Sequence, residues 1–159
     1  MVGAGEVDGV TQPRLALCSG PGSESQAKPM KRRAKSRPEL FKQVIPILRI
    51  FDIAKAKEFY VGFLGFKVDW EHRFSEKAPL YMQVSRGKLV LHLSEHHGDC
   101  CPGSTAFVRM TGLRAFHREI TSKGYHYLNP GIERAPWQAN CMEVIDPFGN
   151  RLRFSEDLR

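Results

Sequence analysis

The sequence contains no apolar run long enough to cross a bilayer, which takes about 20 consecutive residues. Its N-terminal segment also lacks the order of positive charge, apolar stretch and small-residue cleavage site that marks a secretory signal. Cysteine is scarce: Cys18, Cys100, Cys101 and Cys141 are the whole set, and none sits in a CxxC pair. Adjacent cysteines such as Cys100 and Cys101 rarely close a comfortable disulfide, so free thiols in a reducing compartment are expected. Together these absences point to a cytoplasmic protein with no membrane segment. A strong charge of one sign is missing too, once the chain is divided. The net charge is +7, but residues 1–43 hold 8 Lys or Arg against 4 acids, which leaves the remainder with 16 against 13. That balance gives nucleic acid little to hold, and the basic run from Lys31 to Arg37 reads as a solvated flank.

What is present begins at Val44. Before it, residues 1–38 are rich in Gly, Ser, Pro and charge and show no sustained period, so residues 1–43 are expected to form a disordered basic tail. Met30, followed by the basic stretch, is an alternative start. Residues 44–51 then read as a strand rich in β-branched side chains, with Pro46 marking a strand start or an edge. Asp52 is placed to cap a helix running through Leu64, with Ile53, Ala56, Phe59, Tyr60 and Phe63 on one face and Gly65 as its stop. Strands are expected at 66–74, 79–85 and 88–94, with Arg86-Gly87 as a tight turn. The same order then recurs. A strand at 104–110 leads to a helix carrying Leu113, Phe116 and Ile120, stopped by Gly124, and short strands follow near 125–128, 139–145 and 151–155. The fold class is therefore α+β: two β-α-β-β-β repeats, about 44–95 and 104–156, joined by His96 to Gly103, in one domain spanning 44–156.

Candidate donors for chemistry are few. His92, His96, His97, Asp99, Cys100 and Cys101 lie close together but follow no standard metal-site spacing, and a polar linker accounts for most of them. Glu143 on a late strand could serve as a base, yet no paired acid or activated nucleophile accompanies it. Glu71 and His72 read as a solvated strand end.

Several stretches together resemble a known family. They are Pro46-Ile47-Leu48 ahead of Asp52, Glu58-Phe59-Tyr60, Leu64-Gly65-Phe66, Pro136-Trp137, and Asp146-Pro147-Phe148-Gly149-Asn150 followed by Phe154. Over residues 44–156 the chain resembles the vicinal-oxygen-chelate superfamily, which includes glyoxalase I and the bleomycin resistance proteins. The Pro-Ile-Leu strand and the Pro-Trp pair are more similar to the bleomycin-resistance branch. The resemblance implies curled sheets around a cavity, usually at a dimer interface. The superfamily's enzymes hold a divalent metal at four strand positions, which the resemblance matches to Ile45, His92, Thr105 and Arg153 here. Only His92 is a good donor, and Arg153 brings a permanent positive charge, so no cofactor or metal is expected.

The resemblance also matches Trp70, Phe74 and Trp137 to aromatic positions that hold a drug in that branch. Flat heteroaromatic rings stack on such side chains, each pair worth on the order of 1 kcal/mol beyond burial. The expected ligand-binding set is Trp70, Phe74, His92, Trp137 and Arg153, with Arg153 and His92 expected to make the cavity positive and to admit an anionic or neutral aromatic ligand. The expected function is non-catalytic: a homodimer that sequesters a glycopeptide-type antibiotic or a similar aromatic small molecule. The alternative is a metal-dependent lyase or dioxygenase with a displaced metal site, and a third reading is a domain that binds an endogenous metabolite.

Overall fold

The computed structural model describes residues 40–158, so the expected disordered tail lies almost wholly outside the described residues. Strand β1 (Ile47–Arg49) is followed by α1 (Ile53–Lys57), which continues as a π-helical segment (Glu58–Phe63). Then come β2 (Lys67–His72), β3 (Tyr81–Arg86) and β4 (Leu89–Ser94). The second half repeats the order with β5 (Thr105–Arg109), α2 (Leu113–Ser122), β6 (Glu133–Ala135), β7 (Ala139–Ile145) and β8 (Arg151–Asp157). Each half makes one four-stranded sheet. The orders are β1-β4-β3-β2 and β5-β8-β7-β6, with the first pair parallel in each and the others antiparallel. Both expected β-α-β-β-β units are present.

Alternation along the strands decides which face is covered. Leu48, Met82, Val84, Leu91 and Leu93 are buried beneath the helical segment, while Ile47, His92, Gln83 and Trp70 form one cross-strand row on the other, open face. In the second sheet Val144, Leu152 and Phe154 are buried, and Phe107, Arg153 and Glu143 form the matching open row. One hydrophobic cluster runs through both halves, including Phe59, Tyr60, Phe116 and Ile120. Each such fully buried large side chain contributes roughly 1.5–3 kcal/mol relative to exposure.

Four local expectations change. The first strand is shorter than 44–51. Pro46 has no N–H to add, although its carbonyl still accepts from His92 N. The helix capped by Asp52, whose carboxylate accepts from Lys55 N, widens after Lys57, and Leu64 N donates to Phe59 O five residues back. This winding brings Phe59, Tyr60, Phe63 and Leu64, all buried, onto a narrower face than α-helical winding would. The turn between β3 and β4 is Gly87-Lys88, one residue later than expected, with Gly87 at φ +59°. No strand forms at 125–128. Tyr125 instead stacks on Phe63 across the two halves, centroids 4.6 Å apart, and the sixth strand comes at Glu133–Ala135. Long-range aromatic packing here outweighs the β-propensity of Tyr125 and Tyr127.

Polar contacts tie the halves together. The Arg86 guanidinium donates to both Glu119 oxygens, at 2.9 and 2.7 Å, and to the Leu64 carbonyl, and lies 4.6 Å over the Phe116 ring. Lys123 Nζ donates to the Gly62 and Phe63 carbonyls. Gly65, at φ +72°, sits against this cluster, and a Cβ there would meet Arg86 Nη1 at 2.6 Å. Gly65→Ala is therefore expected to cost about 1–3 kcal/mol, from left-handed strain and the displaced guanidinium. Urea melts of the purified variant check this.

Deeper in, Tyr60 donates its hydroxyl to Asp146 at 2.8 Å. Burial pushes the Tyr60 phenol well above its ordinary pKa, and the Asp146 charge and hydrogen bond push the same way. The folded state thus holds this proton more tightly than the unfolded chain does. Its contribution is complete below about pH 10, the unfolded value, and falls as pH rises beyond that. Melting temperature should drop more steeply above pH 10 for wild type than for Tyr60→Phe.

Candidate ligand site

The open face of the first sheet carries an aromatic cluster. Trp70 on β2 and Tyr81 on β3 are stacked, with centroids 5.9 Å apart and planes 12° from parallel. His92 on β4 meets Trp70 edge-on at 5.4 Å and Tyr81 at 5.3 Å. Phe74, just past β2, is edge-on to His72 at 4.9 Å and to His96 at 5.7 Å. A cavity of 410 Å³ is walled by Trp70, His72, Phe74, Tyr81, His96 and Asp99. Phe74 is 80% exposed and Trp70 41%, so neither is a core residue. Large aromatics left open side by side on a concave surface mark a place for a partner molecule.

Hydrogen bonds run in one direction behind this wall. Gln83 Nε2 donates to Asp69 at 2.9 Å, which leaves Gln83 Oε1 to accept from His92 Nε2–H at 3.0 Å. In the neutral Nε2–H form, His92 Nδ1 accepts the Tyr81 hydroxyl proton, at 2.9 Å. The imidazole is neutral in this arrangement, and burial lowers its pKa in the same sense. Asp69, held by hydrogen bonds from Gln83, Ser85 and Lys67, is lowered to about 2 and stays ionised.

The second sheet has its own cavity, of 370 Å³, whose walls include Phe107, Glu133, Trp137, Glu143 and Arg153. Trp137 stands at the tip of the β6–β7 hairpin, in the turn Pro136-Trp137-Gln138, and is 62% exposed. Gln138 takes φ +60° there, a left-handed conformation that closes the short turn and projects the indole. Glu143 accepts from both Arg151 and Arg153, and these hydrogen bonds, Arg153 foremost, lower its pKa. A carboxylate clamped between two guanidiniums is a poor base, so the sequence's one candidate base is spent on structure.

The five expected residues thus fall into two groups. Trp70, Phe74 and His92 gather on the first sheet, and Trp137 and Arg153 on the second. The two cavities share no lining residue, so a single chain does not bring all five together. Two features bear on the expected positive charge: burial lowers the His92 pKa, and Glu143 is shared between Arg151 and Arg153. Tyr81 is a wall residue that the sequence reading passed over, while His72 was read as a solvated strand end and His96 and Asp99 as part of a polar linker. Tyr81 and Gln83 alternate with buried Met82 and Val84, and that period was the available signal. A larger cavity, of 700 Å³, lies between the β3–β4 turn and α2, away from both aromatic faces.

The strand register gives His92 and Arg153 these neighbours. Ile47 pairs with His92, and Phe107 with Arg153; Ile45 and Thr105 lie two residues earlier in the chain. Neither pairing improves the donor set, since isoleucine, phenylalanine and arginine cannot ligate a divalent ion. The residues present do not fit the metal of the superfamily's enzymes. Among the described residues no group of three His, Cys, Asp or Glu side chains could hold a metal ion, the His92–Cys101 stretch included.

Known proteins share this fold. A family model described as glyoxalase superfamily protein matches residues 33–159. No curated protein sequence matches the chain. Among solved structures, a bleomycin-binding protein complexed with bleomycin is similar at 25% identity and TM-score 0.58, covering 74% of this chain and 99% of that one. A bleomycin resistance determinant encoded on the transposon Tn5 is similar at 22% identity and TM-score 0.58, over 74% and 98% of the two chains. An antibiotic-binding protein from Streptomyces sp. CB03234 is similar at 20% identity and TM-score 0.58, over 76% and 99%. The last two likenesses speak for the fold. With the family model covering both repeats, the chain belongs to the glyoxalase superfamily.

Proposed function

We propose that this protein binds a flat aromatic small molecule, of the glycopeptide-antibiotic kind, and holds it without chemistry. The observation that carries this reading is the pair of open sheet faces, each presenting an exposed tryptophan over a cavity of a few hundred Å³. Sequestration needs affinity only, and it fits a site whose carboxylate is clamped and whose histidine is held by two hydrogen bonds. The bleomycin-binding protein at 25% identity supports the choice of ligand class.

The separation of the two aromatic groups within one chain motivates a symmetric homodimer. A twofold assembly that sets the first sheet of one chain against the second sheet of its partner makes two equivalent grooves, each with both groups. Sedimentation at micromolar concentration should give twice the 18.0 kDa chain mass. A species at the single-chain mass would remove the shared groove from the account. Thermal-shift titration with metal-free bleomycin, phleomycin and unrelated aromatic metabolites tests the ligand class, and a concentration-dependent rise in melting temperature is expected for the glycopeptides.

A further inference from the structure

We propose that the cavity of the first sheet is a cation cage, taking a protonated amine or quaternary ammonium group. The proposal rests on the reading of that face as a ligand site and adds the charge of the group it receives. Three kinds of observation point this way. Trp70, Tyr81 and Phe74 line one cavity, and aromatic faces carry the negative side of the ring quadrupole. Asp99 stands in the same wall, its carboxylate fixed by the Ser94 hydroxyl at 2.6 Å. No lysine or arginine is among the six lining residues, which include two histidines, His72 and His96, and burial of His92 behind the Trp70–Tyr81 stack disfavours its charged form.

These features select by charge. An anion would meet a carboxylate and ring faces, both unfavourable to it. A neutral group of the same shape would gain the contacts but neither the attraction to Asp99 nor that to the rings. A cavity of 410 Å³ has room for a trimethylammonium head.

The test uses the full chain and two probes of equal shape, choline and its uncharged isostere 3,3-dimethylbutan-1-ol. The chain has two tryptophans, so the indole N–H signal of Trp70 is assigned in a nitrogen-15 NMR spectrum by its persistence in Trp137→Phe. Choline should shift that signal saturably, with an affinity at least tenfold better than the isostere. Asp99→Asn should lower choline affinity about five- to tenfold and leave the isostere unchanged. Phe74→Leu, at an exposed position that cannot unfold the core, should weaken choline severalfold and keeps the test open if Asp99→Asn melts early. Equal affinity for both probes would overturn the cation cage while leaving an aromatic ligand site standing. No shift of Trp70 with either probe would also overturn the cage, and antibiotic binding by the same sample would show the broader reading intact.

Discussion

Trp137→Ala should weaken binding of a bleomycin-type ligand about thirtyfold, a loss of about 2 kcal/mol, and leave the melting temperature of the free protein unchanged. The expectation follows from where the indole sits. At 62% exposure on a hairpin tip, it contributes little to the core, so truncation opens no internal cavity. What truncation removes is a ring face over the cavity shared with Phe107, Arg153 and Glu143. Trp137→Phe should lose less, because a smaller face remains. Calorimetric titration and thermal melting on the same two variants separate the outcomes. A variant that melts far below wild type would mean the tryptophan supports the fold. Normal melting with unchanged affinity would mean it faces an inert surface.

Asp146→Ala should cost stability heavily, about 3–5 kcal/mol, because it leaves several buried donors unsatisfied. Its carboxylate accepts from the Tyr60 hydroxyl at 2.8 Å, from Phe148 N at 2.9 Å, and from Asn150 N and Nδ2 at 2.7 Å each. Asn150 Nδ2 also reaches the Arg49 carbonyl at 2.7 Å, so one turn fastens the first half to the second at two points. Removing the carboxylate leaves buried donors on Tyr60 and Asn150 without acceptors, and the desolvation cost of those groups then falls on the folded state. For a domain of this size the loss corresponds to a drop in melting temperature of roughly 15 °C or more. Asp146→Asn keeps one acceptor oxygen and should lose about half as much. Thermal denaturation followed by circular dichroism checks both.

The Asp146-Pro147-Phe148-Gly149-Asn150 turn also shows what the sequence could disclose. Its spacing marked a turn and a family, and the structure gives the reason: a buried aspartate with four donors around it, and Gly149 at φ +87°. Period-2 and helical patterns placed most of the elements, because each has one covered face and one open face. The pattern failed at Tyr125 to Leu128. There, contacts with Phe59 and Phe63, some sixty residues away, decide the conformation, and no local window contains them. Nor do strand patterns give the partners of His92 and Arg153, since register in a parallel pair is set across the sheet and not along the strand.

The site was legible in part for the same reason. Trp70, Phe74 and Trp137 stand out as exposed aromatics, but nothing in the order of residues says which sheet face each one shares. Asp99 and His96 lie in the linker between halves and join the first cavity only through the fold. The charge on each face depends on contacts across a strand pair, His92 with Gln83 and Arg153 with Glu143, which strand patterns alone do not give.

The central claim is binding without turnover. It is tested most directly by calorimetric titration of metal-free bleomycin into the full-length protein, followed by mass spectrometry of the recovered ligand. The account predicts a saturable isotherm with one ligand per chain and a ligand of unchanged mass after prolonged incubation. Absence of binding heat at all accessible concentrations, or recovery of a chemically altered ligand, would contradict it.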